Sequence, residues 1–297
     1  MATAREIKRR IQSVRNMGQV TRALQAVAAS KVQRAQAAVL ATRPYARASW
    51  RVIVDLSAAA DETSHALLTT RTPVENILIL FITGDRGLCG AYNHNIVQAV
   101  LDFAEARDLP ARYVVVGRKG RDLMWRMGAD IVAEFHDLPA APGVRDISPV
   151  AYAAIDEFLK DQVDEVYLAY TDFVNMLVHR PVIKRLLPLC PTQLDTQAMS
   201  ECIVGVQPTQ VTEYIYEPDA IEILDSILPR FTELQVYEAV LEAQASEHAA
   251  RMVAMRNATE NAADLAEDLT LDYNKARQRS ITREILDIAG GAEALAN

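Results

Sequence analysis

The stretch ASEHAARMVAMRNATENAADLAEDLTLDYNKARQRSIT, Ala245–Thr282, decides how this chain folds, because it contains neither glycine nor proline. Both residue types are absent from every position between Arg230 and Ala289. A continuous helix over that interval would be roughly 90 Å long, at about 1.5 Å per residue. Such a rod is about two to three times as long as a small domain is wide. We therefore expect a second helix to lie along it.

Two rows of small and apolar side chains repeat along this helix at seven-residue intervals. The first row is Leu234, Leu241, His248, Met255, Ala262, Leu269 and Ala276, and the second is Ala245, Met252, Thr259, Ala266, Tyr273 and Ser280. A seven-residue repeat of this length predicts a left-handed coiled coil. Because most of these residues are small, the paired helices can approach closely but bury little area. We interpret His248 as a packed polar member of its row and not as a metal ligand.

The N-terminal segment is the obvious partner, because residues 3 to about 57 also have the pattern of a helix. Alanine-rich stretches such as ALQAVAASKVQRAQAAVLA have high helix propensity. Its apolar stripe consists of Ile7, Ile11, Val14, Leu24, Val27 with Ala28, Val32, Ala35 and Val39. Gly18 and Pro44 interrupt the stripe, which predicts bends or local weakening there. We expect the two terminal helices to pair antiparallel.

Between these helices the pattern changes to strands that alternate with helices. The strand candidates are NILILFI, ARYVVVG, ADIVAEF and EVYLAYT, and SPVAYAAIDEFLKDQ is a helix that we expect Ser148 to cap. This alternation predicts a mostly parallel open sheet with right-handed crossovers. Two further extended segments follow, RPVIKRLLPL and VTEYIYEP. One arrangement for them is antiparallel pairing at the edge of the sheet.

The predicted fold class combines α and α/β parts. It is a long antiparallel coiled coil of the N- and C-terminal helices, with a Rossmann-like open α/β domain inserted between them. We assign residues 1–57 to the N-terminal coiled-coil helix, 74–217 to the globular α/β domain and 218–297 to the C-terminal coiled-coil helix. Half of the 297 residues are hydrophobic, which is enough for a real core.

Charge is distributed unevenly along the chain. Residues 1–51 carry eleven Lys and Arg against the single acid Glu6, whereas the whole chain has a net charge of −8. Three interpretations of the basic end are open: nucleic-acid binding, an organelle transit peptide, and contact with an acidic protein surface. No apolar run approaches the about eighteen residues of a membrane span. Cys89, Cys190 and Cys202 are expected to be reduced thiols, and the five histidines lack metal-ligand spacing.

The most suggestive chemical motif is ILILFITGDRGLCGAYN, which predicts a strand, a glycine-bearing turn and a helix. Gly84, Gly87 and Gly90 have the spacing G-x-x-G-x-x-G, which matches neither a dinucleotide fingerprint nor a P-loop. Arg118, and not an acid, follows the second strand. A nucleotide-binding enzyme is therefore the weaker interpretation, and a tight structural turn is the stronger one. The hydrolase and zinc-protease motifs are absent from the sequence, which argues against catalysis by this chain.

The C-terminal helix carries two further candidate surfaces. Arg277, Gln278 and Thr282 lie within about a turn and a half. They form either a solvated basic patch or a hydrogen-bonding surface for a partner. Beyond them the helix tip is apolar, with Ile281, Ile285, Leu286, Ile288 and Leu295. An exposed apolar tip implies a socket in another protein.

Three motifs stand in order along the chain: IKRRIQSVRNMGQVTRALQAVAASKVQRAQ, then TGDRGLCGAYN, then ASEHAARMVAMRNATENAADL followed by YNKARQRSIT. Together they closely resemble the gamma subunit of F-type ATP synthase, over essentially the whole chain. The resemblance implies a central rotor shaft inside a ring of three alpha and three beta subunits, with a foot beside the epsilon subunit and the c-subunit ring. Proton flow would turn the c ring and the shaft, and the shaft would drive each beta subunit through its nucleotide-binding states.

The resemblance also implies roles for individual residues. Contact with beta is implied for Arg277, Gln278, Thr282, Leu24, Asp85, Arg86 and Cys89, an apolar bearing for Ile285, Leu286 and Ile288, and a surface facing the c ring and epsilon for Tyr214 and Glu217. It implies no catalytic residue, cofactor, metal or nucleic acid. Membrane association would come only through the complex, as a peripheral protein at the cytoplasmic face of a bacterial cell membrane.

The sequence departs from the family pattern in two places. The turn reads Gly-Ala-Tyr-Asn where a second glycine is common, and Gly18 and Gln19 replace more usual polar and basic residues, so local geometry is open at both. The chloroplast form has a redox segment with a close cysteine pair. Cys190 and Cys202 lack that segment around them, so we expect no thiol switch. The family's helix begins within the first few residues, which leaves no transit peptide to remove and favours a bacterial protein.

Overall fold

Along the sequence, the first long helix is followed by the strands and helices of a five-stranded sheet domain, and the second long helix comes last. The structure is a computed structural model, and it describes residues 4–59, 65–189 and 220–296. The helices and strands are α1 (Ala4–Ala59), β1 (Ile77–Ile82), α2 (Tyr92–Arg107), β2 (Ala111–Val116), α3 (Arg118–Arg126), β3 (Ile131–Phe135), α4 (Val144–Leu159), β4 (Glu165–Phe173), β5 (His179–Leu187) and α5 (Ala220–Ala296). The predicted fold class is confirmed.

The strands lie in the order β3-β2-β1-β4-β5. β1 pairs parallel with β2, with Ile77 opposite Ala111, and parallel with β4 on its other side. β5 pairs antiparallel with β4, with Tyr170 opposite Val182, so RPVIKRLLPL does form an antiparallel edge. Short helical crossovers between parallel strands place helices on both faces of such a sheet.

Alternate residues of β1 supply the two halves of the core. Leu78, Leu80 and Ile82 face the side covered by α4 and by the first part of α5. Ile77, Ile79 and Phe81 face the side covered by α2 and α3. Side chains along a strand point alternately to opposite faces, and both faces are buried here. This double burial explains why NILILFI is continuously apolar and not alternating.

One local expectation, the cap at Ser148, is corrected by the structure. α4 begins at Val144 with Gly143 before it, so Ser148 lies inside the helix and does not cap it. The Asp146 carboxylate accepts a hydrogen bond from the Gly143 N–H at 2.8 Å and closes the first turn instead. α1 continues without interruption through Gly18 and Pro44. α5 includes Pro229 and therefore starts before the glycine- and proline-free interval.

The contacts divide the chain into two compact units. One consists of residues 1–28 and 252–297, and the other of residues 29–251. The three segments predicted from the sequence follow secondary structure, whereas each compact unit contains part of both long helices. In the described residues, none of the helices combines the length and the apolar character that a membrane span requires. VTEYIYEP, with Tyr214 and Glu217, lies outside the described residues, as do Cys190 and Cys202.

Candidate functional site: the helix pair and the turn after the first strand

In the first compact unit, α1 and α5 run antiparallel with a fixed register. The hydroxyls of Thr21 and Thr259 share a hydrogen bond of 2.7 Å across the pair. One turn away, a Cβ atom built on Gly18 would lie 3.5 Å from the Ala262 Cβ. A step of three residues along α1 is thus matched by a step of three back along α5. Small side chains at both crossings allow this close approach.

From Met255 to Ala276 the predicted rows on α5 face the partner helix, whereas the predicted row member Ser280 is exposed. Met255, Ala262 and Ala266 are buried, and Thr259, Leu269, Tyr273 and Ala276 are half-buried. On α1 the buried or half-buried positions are Ile7, Ile11, Val14, Gly18, Thr21, Gln25 and Ala28. Burial therefore recurs every three or four residues on both helices, as a coiled-coil seam requires.

The prediction that Leu24 and Val27 belong to this seam is wrong. Leu24 is 36% exposed and Val27 is 54% exposed. The seam positions are taken by Thr21 and by Ala28, which was predicted together with Val27, because only residues at three- and four-residue steps from Ile11 and Val14 return to the same face. Leu24 instead joins Met17, Val20 and Val27, which form an exposed apolar stripe on the outer face of α1.

Extending the register relates the described ends of the two helices. Ala4, the first described residue of α1, corresponds to Ala276 in this register, and Ala276 is the last half-buried position among the described side chains of α5. Arg277, Gln278 and Thr282 follow directly and are exposed. The polar cluster predicted from the sequence therefore lies beyond the described part of the partner helix. We call residues 277–296 the overhang.

The overhang also presents the predicted apolar tip. Ile285, Leu286 and Ile288 are all exposed, and Ile288 is 74% exposed. Ile281, Ile285 and Ile288 have the four- and three-residue spacing that places them on one face of a helix. A row of exposed isoleucines is a candidate contact surface for another protein.

The second candidate surface, in the other compact unit, is the turn after β1. Thr83 ties the end of β1 to its neighbours, because its hydroxyl donates to the Val116 carbonyl at 2.9 Å and accepts from the Gly120 N–H at 2.9 Å. A Cβ at Gly117 would lie 2.2 Å from the Thr83 carbonyl oxygen, and the Gly117 φ is +98°. Only glycine can occupy that position.

Asp85 fixes the turn from inside. Its carboxylate accepts hydrogen bonds from the N–H of Arg118, at 3.1 Å, and from the N–H of Asp137, at 3.0 Å. Arg118 is the first residue of α3, so the carboxylate also lies at the positive end of that helix. Asp85 is predicted to contact a partner, yet its oxygen atoms already bind this chain's own backbone. Arg86 and Leu88 are the exposed side chains of the turn.

Cys89 lies inside the same turn and is buried. Its thiol accepts a hydrogen bond from the Asn93 amide at 3.2 Å, and the Asn93 carbonyl oxygen accepts from the Gly84 N–H at 2.8 Å. Burial, followed by the nearby Glu247 carboxylate, raises the pKa of the Cys89 thiol. The side chain therefore supports the shape of the turn and is shielded from outside groups.

Two residues of α5 that the sequence reading did not single out hold this turn. Arg251 donates to the Gly87 carbonyl at 3.3 Å and to the Glu247 carboxylate at 2.5 Å. A Cβ at Gly84 would lie 2.7 Å from the Glu247 carboxyl carbon, so a larger residue there would displace the Glu247 side chain. The sequence signal that could have identified them is the spacing of Glu247 and Arg251, an acid followed four residues later by a base, beside the seam position His248.

This geometry disfavours nucleotide binding at the end of β1. A nucleotide phosphate needs free backbone N–H groups at such a turn. The N–H groups of Gly84, Arg118 and Asp137 are bonded to side chains of the protein. The Asp85 and Glu247 carboxylates would also repel a phosphate. Within the described part of the chain, groups of three or more His, Cys, Asp or Glu that could hold a metal are absent.

Comparisons with known proteins identify relatives over the full length. The family model described as ATP synthase matches residues 3–295. The ATP synthase gamma chain of Dehalococcoides mccartyi is 48% identical over 298 residues, which is all of both chains. That of Roseiflexus castenholzii is 46% identical over 301 residues, covering 100% of this chain and 99% of the relative.

Solved structures agree with these relatives. A chain in the central stalk and c-ring structure of Tetrahymena thermophila mitochondrial ATP synthase is 25% identical, with a TM-score of 0.61, covering 80% of this chain and 99% of that one. A chain of the Euglena gracilis mitochondrial enzyme, from a structure of its OSCP, F1 and c-ring, has a TM-score of 0.66 at 20% identity. It covers 98% of this chain and 94% of that one, and supports the fold alone.

Proposed function

The chain belongs to the gamma-chain family of ATP synthase and is a central-stalk subunit, and we propose that its paired terminal helices are the shaft that turns within a ring of alpha and beta subunits. Rotation of the c ring, driven by protons, turns the shaft. The shaft has a different surface on each side, so the three beta subunits are held in different nucleotide-binding states. A partner that binds conformations with different affinity shifts their populations in this way.

The exposed surfaces of the first compact unit support this proposal. The apolar stripe of Met17, Val20, Leu24 and Val27 and the tip residues Ile285, Leu286 and Ile288 would be costly to leave in water. We propose that the tip turns in an apolar bearing formed by the ring. Arg277, Gln278 and Thr282 supply hydrogen bonds to a beta loop at the level just below it.

The sheet domain is proposed to be the foot of the stalk. The turn of residues 85–90 contacts beta near the lower opening of the ring, through Arg86 and Leu88, while Asp85 and Cys89 maintain its shape. Tyr214 and Glu217 are proposed to face the c ring and epsilon. The chain would reach the cytoplasmic face of the bacterial cell membrane only through these subunits, as a peripheral component.

Catalysis is proposed to reside in beta and not in this subunit. The filled turn after β1, with Asp85 and Glu247 where a phosphate would bind, supports a mechanical role and opposes a nucleotide-dependent enzyme. The basic N-terminal helix has its exposed face beside an apolar stripe, which fits a protein surface better than nucleic acid.

The observation that carries the proposal is the antiparallel register of α1 and α5, which leaves a polar and apolar overhang. The test is co-expression of the full chain with alpha and beta subunits. A stable complex with cooperative, multisite ATPase activity is the expected result. Ala262→Glu places a charge in the seam and should prevent assembly, whereas Ala263→Glu changes the exposed neighbouring position and should not. Failure of the unmodified chain to co-purify, or equal behaviour of the two variants, would contradict the proposal.

A further inference from the structure

A row of polar side chains is buried on one face of α5. Thr232, Gln235, Glu238, Glu242 and Ser246 are all at most 8% exposed, and they recur every three or four residues. Thr232 and Ser246 have partners, since their hydroxyls donate to the carbonyls of Leu228 and Thr171. Carboxyl groups are seldom buried without a partner of opposite charge. Glu242 is therefore the member of the row that most needs an explanation.

Glu242 borders a cavity of about 400 Å³ inside the second compact unit. The cavity lies between α1, α5 and the end of β4. Its apolar walls are Val39, Leu40, Phe173, Val174 and Ala245, and its polar residues are Gln36, Asp172 and Glu242. Small-molecule sites have this size and this composition, an apolar wall with a few converging polar groups.

The carboxyls of Glu242 and Asp172 meet at this cavity. Glu242 is 8% exposed, and among the described residues its Oε2 has no hydrogen-bond donor of positive charge or backbone N–H beside it, only the interaction of its carboxyl with that of Asp172. Its neighbours are Asp172 on β4, Glu238 on the same helix and Lys184 on β5. Burial raises the pKa of Glu242 to about 9, with further increases from Asp172 and Glu238 that the Lys184 charge partly offsets. The group is therefore protonated at neutral pH unless a second positive charge reaches it.

We propose that this cavity binds an organic cation, namely a protonated primary amine on an apolar chain, with the ammonium at Glu242 and Asp172 and the chain along Val39, Leu40 and Phe173. The ammonium supplies donors and a positive charge to two neighbouring carboxyls, and an anion would be repelled by them. The two carboxyls are too few for a divalent metal, which takes six or more oxygen ligands in the calcium case. Binding converts the Glu242 acid to a carboxylate, so each ammonium bound releases one proton to solvent.

Hexylammonium is a suitable probe for the full-length chain, with hexanol and hexanoate as its uncharged and negative analogues. Calorimetry in two buffers of different ionisation enthalpy measures both affinity and proton release. We expect binding of hexylammonium at pH 7 with release of about one proton, as expected for one acid displaced. Hexanol should bind at least about tenfold more weakly, and hexanoate should not bind, because the charge-assisted hydrogen bond is lost.

Variants separate the two parts of the site. Glu242→Gln should weaken hexylammonium binding at least about tenfold and abolish proton release. Glu260→Gln changes an exposed glutamate of the same helix and should change neither. Val174→Trp fills the cavity from its exposed rim, with both carboxyls intact, and should also weaken binding. Equal binding of hexylammonium and hexanol, no binding by the unmodified chain, or unchanged binding after Glu242→Gln in a folded variant would each overturn the proposal.

Discussion

Thr21 and Thr259 form a hydroxyl–hydroxyl hydrogen bond across α1 and α5, and each hydroxyl also lies near a carbonyl of its own helix. Thr21→Val should destabilise the chain by about 1 kcal/mol, because the half-buried Thr259 hydroxyl loses its partner on the other helix. Adding Thr259→Val should restore part of that loss, since both polar groups are then removed. Urea denaturation of the two single variants and the double variant measures the coupling. Strictly additive losses would show that the hydrogen bond has no role.

Gly18 is a site where stability can be gained. A Cβ there would be in ordinary contact with the Ala262 Cβ at 3.5 Å, so alanine fits without displacing the partner helix. Gly18→Ala should stabilise the chain by up to about 1 kcal/mol through helix propensity. Gly18→Leu should separate the helices and lower the melting temperature. If leucine is tolerated as well as alanine, the two helices are not in close contact at this position.

Asp85 accepts two backbone hydrogen bonds, and removing it should loosen the turn after β1. Asp85→Ala should destabilise the chain by about 2 kcal/mol, because two N–H groups lose their acceptor. Hydrogen exchange should accelerate at the amides of Arg118 and Asp137. Asp102→Ala, on the exposed surface of α2, is the matched control and should leave both amides unchanged. Fast hydrogen exchange at the Arg118 and Asp137 amides of the unmodified chain would argue against their hydrogen bonds to Asp85.

His248 should make the chain sensitive to acid. Burial, with smaller effects from Arg251 and Lys31, lowers its pKa from 6.5 to about 4. The unfolded chain therefore binds more protons than the folded chain in this interval, so stability falls as pH decreases from 6.5 towards 4. His248→Gln should reduce that slope, measured as melting temperature against pH. The exposed His94→Gln is the control, and equal slopes in all three proteins would refute the assignment.

Gln278 is predicted to bind a beta loop, and its loss should affect coupling and not nucleotide binding. In the assembled complex, Gln278→Ala should lower ATP synthesis or assembly, while the nucleotide affinity of isolated beta stays unchanged. Ser280→Ala is the control. Ser280 lies two residues after Gln278, which is about 200° around the helix, so its side chain points away from the partner that Gln278 would contact. Normal synthesis by the Gln278 variant would show that this contact is dispensable.

The architecture could be predicted from the sequence because its signals are strong. The long interval without glycine or proline and the seven-residue repeat predicted α5 and its seam, and the continuous apolar run NILILFI predicted a strand. The antiparallel edge strand also agreed with the pattern, as Tyr170 opposite Val182 confirms. These signals are periodic and local, so they do not depend on knowing what lies opposite.

The errors concern residues whose roles depend on distant parts of the chain. Leu24 is apolar, as seam residues usually are, but Thr21 occupies the seam position. The helix register, and not hydrophobicity, decides which residues face the partner helix. Arg251, which is paired with Glu247, donates a hydrogen bond to Gly87 in the turn after β1, and these residues are far apart in sequence. Ser148 had the chemistry of a cap, yet Asp146 and Gly143 close the helix two residues earlier. The predicted partner contacts of the exposed residues stay predictions.

The overhang has a mechanical consequence. Up to Ala276, a torque on the shaft is resisted by two helices whose side chains interlock, as at Thr21 and Thr259. Among the described residues, α5 alone transmits it beyond Ala276. Elastic twist under load should therefore accumulate in residues 277–296, so that the end proposed to meet a bearing is the most compliant part of the axle.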